Sequence, residues 1–250
     1  MTTHPPVSPT IGQLVAERPE RGRLFEKLGI DYCCGGRTSL NEACAKRGLD
    51  PDEVRAQLRA SDACPVVGAE PDWATASLSH LADHIETTHH RLMRAELPRA
   101  AALVSKVARV HGQRHPQLLE LRRVFEEFAL DLLAHMDKED SVLFPRIRRV
   151  EASPGPADVA PALDQPVRAM MTEHDEAGRA LSRMRALTNG YAPPLDACGT
   201  YRVMLSALRD IETDMHTHVH KENNILFPRA LKAATRGPAC GSGTASRHPR

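Results

Sequence analysis

The chain has 250 residues, 41% hydrophobic and 26% charged, with a formal net charge of +1. That balance supports a real core in one large domain or a small and a medium one, and the near-neutral charge argues against the basic footprint of a nucleic-acid binder. No run of about 18 apolar residues is present to span a membrane. MTTHPPVSPTIG has neither the basic start nor the apolar stretch of a signal peptide, so a cytoplasmic protein is expected, with its six cysteines as thiols.

The first sixty residues read as a small helical module. Thr10 caps IGQLVAE, Pro19 opens PERGRLFEKL and Gly29 stops it. The turn DYCCGG follows, Asp31 to Gly36. Adjacent Cα atoms lie about 3.8 Å apart, below the roughly 4.4–6.8 Å that a relaxed disulfide spans, so Cys33 and Cys34 are expected as free thiols. The two glycines make a bent, exposed turn the natural reading, with two small buried residues packing a turn as the alternative. Ser39 and Glu42 then form a capping box for SLNEACAKR, and Asp50-Pro51 starts DEVRAQLRA.

Residues 1–62 are thus an N-terminal helical domain, and 63–76 a Pro- and Gly-containing linker. From 77 to 235 the pattern is that of longer helices, near 77–96, 99–112, 117–140, 165–187 and 195–223. Together these predict an all-α fold, a four-helix bundle behind the small domain. Residues 236–250, GPACGSGTASRHPR with Arg236 nearby, are polar and Gly/Ser-rich and are expected to be disordered.

The bundle contains a repeat. HMDKEDSVLFPR (His135 to Arg146) and HVHKENNILFPR (His218 to Arg229) share H-x-x-K-E and L-F-P-R at identical spacing, as duplication of a two-helix unit produces. Spacings of three and four put His218 and Glu222 on the inward seam of Tyr201, Met204, Leu208, Ile211 and Met215. His135 and Glu139 fall likewise on that of Leu121, Phe125, Phe128 and Leu132. The same counting places His84, His111 and His174 inward.

Five imidazoles and two carboxylates without matching Lys or Arg on those faces are too costly to bury unpaired. A cation offsets that cost. Bundle cores are where dinuclear carboxylate sites are built, and mixed imidazole and carboxylate donors suit iron or manganese. Seven ligands exceed the usual four of zinc and imply two metals bridged by the glutamates. His89, His90, His216 and His220 fall off the seams and are expected to be solvated or to back the ligands. Asp131 and Glu173 read as backing carboxylates or as part of a solvated face.

With DYCCGG, EHDEAG (Glu173 to Gly178) and HVHKENNILFPRAL in one chain, the sequence resembles the RIC family, the iron–sulfur cluster repair di-iron proteins of the YtfE and ScdA type, over nearly its whole length. The resemblance implies a hemerythrin-like di-iron bundle holding two iron ions. By position, the family's ligands fall on His84, His111, His135, Glu139, His174, His218 and Glu222, and its cysteine pair on Cys33 and Cys34. It implies repair of iron–sulfur proteins damaged by nitrosative or oxidative stress through supply of iron. The linker at 62–73 is expected to let the cysteine turn reach the di-iron mouth as a free arm, where Cys33 and Cys34 accept or relay iron, nitrosyl groups or electrons. Reduction of nitric oxide at the di-iron centre is the alternative enzymatic reading, and an oxygen-binding or sensing hemerythrin a third. The partners implied are damaged iron–sulfur proteins and nitric oxide, with a homodimer possible and neither nucleic acid nor membrane.

Overall fold

The computed structural model describes residues 9–62, 71–152 and 159–235. The linker residues 63–70, most of EASPGPADVAP and the tail after Thr235 lie outside the described residues. So does the expectation that the tail is disordered.

Four short helices form the N-terminal unit: α1 (Ile11–Glu17), α2 (Arg21–Leu28), α3 (Leu40–Arg47) and α4 (Pro51–Asp62). Thr10 with Gln13, and Ser39 with Glu42, make reciprocal capping boxes that satisfy otherwise orphaned N–H groups. Gly29 and Gly48 end α2 and α3 at φ 66° and 67°, the left-handed region where an L side chain is strained. Ile11, Val15, Phe25, Leu40, Cys44, Val54 and Leu58 form its core.

Four long rods make the bundle. The first runs through α5 (Leu78–His84), a π-helical segment (Ile85–His90) and α6 (Arg91–His111). The second runs through α7 (Gln117–Lys138), a π segment (Glu139–Leu143) and α8 (Phe144–Ala152). α9 (Val159–Leu187) is the third, and α10 (Gly199–Lys221), a π segment (Glu222–Leu226) and α11 (Phe227–Thr235) form the fourth. No strand occurs among the described residues. No described helix is long and apolar enough to cross a membrane.

Two prolines are absorbed inside long helices. Pro98 lies inside α6, joining the segments expected at 77–96 and 99–112, and Pro166 lies inside α9. Each removes one intrahelical donor, and packing of the long rods carries the helix across the gap. Trp73, assigned to the linker, is buried against the bundle with its ring 4.4 Å from that of His84.

The π segments set the site. In each, the following N–H reaches back five residues: Arg91 to Glu86, Phe144 to Glu139 and Phe227 to Glu222. One extra residue per turn rotates everything that follows relative to a 3.6-residue count. Pro145 and Pro228, next in the two L-F-P-R repeats, have no N–H to restore the ordinary ladder. The bundle core is divided accordingly. One apolar cluster, including Leu121, Phe125, Met204 and Leu208, fills one end, and another, including Leu81, Phe144, Ile147 and Phe227, fills the other. A layer of buried His and Glu lies at the π turns.

Candidate metal centre

Two ligand sets share one pair of carboxylates. His90, Glu139, His218 and Glu222 form one, and His135, Glu139, His174 and Glu222 the other; all six residues are buried. In the first set, the Nε2 atoms of His90 and His218 are 3.0 Å apart, and His218 Nε2 is 3.0 Å from Glu222 Oε1. In the second, the Nε2 atoms of His135 and His174 are 3.0 Å apart, and His174 Nε2 is 3.0 Å from Glu222 Oε2. Glu222 therefore turns one oxygen to each set. Glu139 Oε2 stands 3.2 Å from His135 Nε2 and 3.5 Å from His90 Nε2, between them.

In three of the four histidines the opposite nitrogen is held by a group that fixes ring orientation, whereas His218 Nδ1 is buried with no hydrogen-bond partner among the described residues. Asp140 Oδ1 lies 2.7 Å from His90 Nδ1, Glu173 Oε2 2.8 Å from His135 Nδ1, and Asn223 Oδ1 2.9 Å from His174 Nδ1. Acceptors there place the proton on Nδ1 and leave Nε2 a bare lone pair, as in metal sites whose ligating imidazoles are carboxylate-backed. The bare Nε2 atoms of His135 and His174, 3.0 Å apart, repel unless a cation lies between them. Both Glu139 oxygens and Glu222 Oε2 are buried and make no hydrogen bond among the described residues. These orphaned donors, set in two facing groups, fit two metal ions.

Without a cation the cluster holds protons instead. Burial acts to lower the His90 pKa, but Asp140, Glu139 and Glu222 outweigh it and push it up to about 11. His135 likewise overcomes burial through Glu139 and Glu222, reaching about 9. Burial and Glu222 work to raise Glu139, yet His135 and His90 hold it at about 2.

The expected ligands divide. His135, Glu139, His174, His218 and Glu222 are brought together. His84 is not: its Nε2 lies 2.9 Å from Lys221 Nζ, its ring packs on Trp73, and the π turn that follows carries His90 inward in its place. His111 is not either: it ends α6, about 30 Å along the axis from His90 at 1.5 Å per residue, where its Nε2 lies 3.2 Å from Cys198 Sγ. His90 was passed over because counting by three and four cannot select a residue five beyond Ile85. His89 and His220, also expected off the seams, are buried. Glu173 backs His135, whereas Asp131 is exposed.

Cys33 and Cys34 lie over this layer rather than on a free arm. Cys33 is buried, and the Cys34 thiol points to the backbone oxygen of His174 at 3.5 Å. Asn224 Nδ2 donates to the carbonyls of Cys33 (3.0 Å) and Tyr32 (3.3 Å). A Cβ on Gly36 would stand 2.3 Å from Asn224 Oδ1, so only glycine lets this amide in. The expected exposed turn is a docked one. Hydrogen bonding to Cys34 and then burial push the Cys33 thiol well above its ordinary range.

A bundle with a doubled, carboxylate-bridged His/Glu layer defines a hemerythrin-type cation-binding protein, and residues 80–230 match the hemerythrin HHE cation binding domain. Residues 7–62 match ScdA_N, a domain of unknown function. The iron–sulfur cluster repair protein YtfE of Escherichia coli O81 (strain ED1a) is 35% identical over 221 residues, which cover 88% of this chain and 96% of that protein. The protein of the same name from Enterobacter sp. (strain 638) is 34% identical over equal shares. The chain belongs to this YtfE-type family of hemerythrin-domain proteins, and iron is the metal that its domain implies.

Proposed function

We propose that the protein holds two iron ions and repairs damaged iron–sulfur clusters by supplying iron. The observation that carries the reading is the shared pair Glu139 and Glu222, each facing two histidine pairs in a buried layer. Each ion would take two imidazoles and share two carboxylates, so it falls short of six protein bonds and keeps exchangeable positions. His90 and His218 hold one ion, and His135 and His174 the other. Asp140, Glu173 and Asn223 orient the rings and hold the Nδ1 protons.

Iron when bound supplies a labile ferrous pair; the chain supplies the means of release. Ligands drawn from two-histidine sets around shared carboxylates hold an ion less completely than a closed four-ligand thiolate cage does. A groove of about 480 Å³ lined by His135, Glu173 and His174 reaches the second set from the surface between α7 and α9. Damage by nitrosative or oxidative stress is the setting that goes with this reading.

The test is anaerobic transfer from iron-loaded protein to an apo iron–sulfur acceptor supplied with sulfide. Cluster absorption should grow as iron leaves the bundle. Loaded protein that keeps both ions while the acceptor stays apo would sink the proposal.

A further inference from the structure

His111, expected among the ligands of the bridged centre, stands at the far end of the bundle in another group of donor atoms. The turn between α6 and α7 brings it beside His115, whose N–H donates to the His111 carbonyl at 2.9 Å. Facing them is the end of the α9–α10 connection, with Asp196 and Cys198. His111 Nε2 lies 3.2 Å from Cys198 Sγ, and His115 Nε2 lies 3.1 Å from each carboxylate oxygen of Asp196. The buried Tyr201 ring packs against both imidazoles, with centroids 5.4 and 5.9 Å away, so the two rings border one side chain.

The chemistry of these four residues is unlike that of an ordinary loop contact. Cys198 is the N-cap residue of α10, yet its thiol makes no capping bond and turns to His111 instead. The imidazoles are half-buried and Asp196 and Cys198 are exposed, so an ion reaches them from solvent. As ties between two loops, contacts this exposed contribute little stability. As ligands, one thiolate, two imidazoles and one carboxylate are the four donors of a tetrahedral site.

We propose that His111, His115, Asp196 and Cys198 bind one divalent ion of the zinc class, apart from the bridged centre. The thiolate and imidazoles select such a borderline ion over magnesium or calcium. Donors about 2.0–2.3 Å from a tetrahedral ion stand roughly 3.3–3.6 Å from one another. Each pair is therefore close to the edge it would form on the ion. The two pairs are not one closed shell, since the imidazole centroids are 6.5 Å apart. The ion draws them together by side-chain rotation, and Asp196, exposed on the loop, has the room to turn. Binding forms a metal–sulfur bond and releases the Cys198 thiol proton to water. Each imidazole binds through Nε2 and keeps its one proton on Nδ1, and no electron moves. The site lies about 30 Å along the bundle axis from His90, shares no ligand with the iron pair and does not depend on the repair reading.

The experiment titrates protein loaded with iron at its bundle centre with cobalt(II), anaerobically. One equivalent should give thiolate-to-cobalt charge-transfer absorption together with the intense visible bands of a tetrahedral ion. Cys198→Ser should abolish the charge-transfer band. His111→Ala, His115→Ala and Asp196→Ala should each weaken binding at least about tenfold, since losing even a group behind a ligand costs about 10–100-fold. Replacing Cys33 and Cys34 together with serine should leave the band in place, which separates Cys198 from the thiols of the cysteine turn. In the wild type, zinc should displace the cobalt and slow iodoacetamide labelling of Cys198, read by peptide mass spectrometry. No band, a band that survives Cys198→Ser, or an affinity that the His115 and Asp196 variants leave unchanged overturns the site. Labelling of Cys198 at one rate with and without zinc overturns it as well.

Discussion

The two half-repeats of the bundle are nearly the same sequence and do different work at their third and fourth positions of divergence. His135 and Glu139 in the first correspond to His218 and Glu222 in the second, and the two glutamates open equivalent π turns. The residue after each glutamate reaches across to a histidine of another rod: Asp140 to His90, Asn223 to His174. One histidine is thus backed by a carboxylate and the other by an amide. The next residue diverges further. Ser141 turns its hydroxyl back onto the Asp137 carbonyl of its own helix, whereas Asn224 holds the cysteine turn. Duplication placed matching His and Glu in the buried layer, and the substitutions beside them change the group behind one histidine and dock the N-terminal unit on the second half.

Removing a shared carboxylate should break the comparison most severely. Glu139→Leu or Glu222→Leu takes a ligand from both sets, so each is expected to abolish the coupled pair while circular dichroism stays helical. A full antiferromagnetically coupled pair in both variants would show that neither glutamate bridges.

The backing residues should sharpen it. Asp140→Asn weakens the acceptor behind His90 and is expected to lower iron affinity at the first set by about 10–100-fold. Asn223→Asp, which makes the second half resemble the first, should not lower it at the second set. Competition with a chelator of known strength reads both, and equal losses would remove the asymmetry.

Asn224 marks the docking difference. Asn224→Leu leaves the Tyr32 and Cys33 carbonyls without this donor, at about 1–3 kcal/mol for each one that stays buried. Iodoacetamide labelling of Cys33 should accelerate in the variant while the iron content holds. Ser141→Leu, its counterpart, should leave labelling unchanged.

The smallest effect lies within the N-terminal unit, where the bidentate hydrogen bonds from Arg21, Nε to Oδ1 and Nη2 to Oδ2, hold the Asp62 carboxyl below its ordinary range. A depressed carboxylate contributes stability above its unfolded pKa, near 3.9, and loses it as pH falls through the folded value. Asp62→Asn should therefore lower the melting temperature modestly at pH 7. The gap from wild type should close below about pH 4; a gap constant with pH would assign the effect to packing.

Much of this was legible because it is local. Thr10 with Gln13 and Ser39 with Glu42 are caps written within four residues, and the duplicated H-x-x-K-E with L-F-P-R picks out four residues of the buried layer by itself. Periodicity supplied His174 as well. It failed at His84 and His90, since a stripe counted at 3.6 residues per turn goes out of phase across a π turn. It failed at His111 for another reason: a seam gives the face of a helix and not the level along its axis. The sequence did contain that level. His111 lies six residues before α7 starts, while His135 lies 18 residues beyond that start, about 27 Å further at 1.5 Å per residue. The docking of Cys33 needed tertiary contacts between the N-terminal turn and Asn224, which no local pattern records.

The central claim is that the centre is built from His90, His135, His174, His218, Glu139 and Glu222, with His84 and His111 outside it. Its most direct measurement is iron content with Mössbauer spectroscopy of anaerobically reconstituted wild type, His90→Ala, His84→Ala and His111→Ala. The account predicts two coupled iron ions per chain in the wild type and in the His84 and His111 variants, and a lost or uncoupled ion in His90→Ala. A coupled pair that survives His90→Ala and disappears in His84→Ala would contradict it.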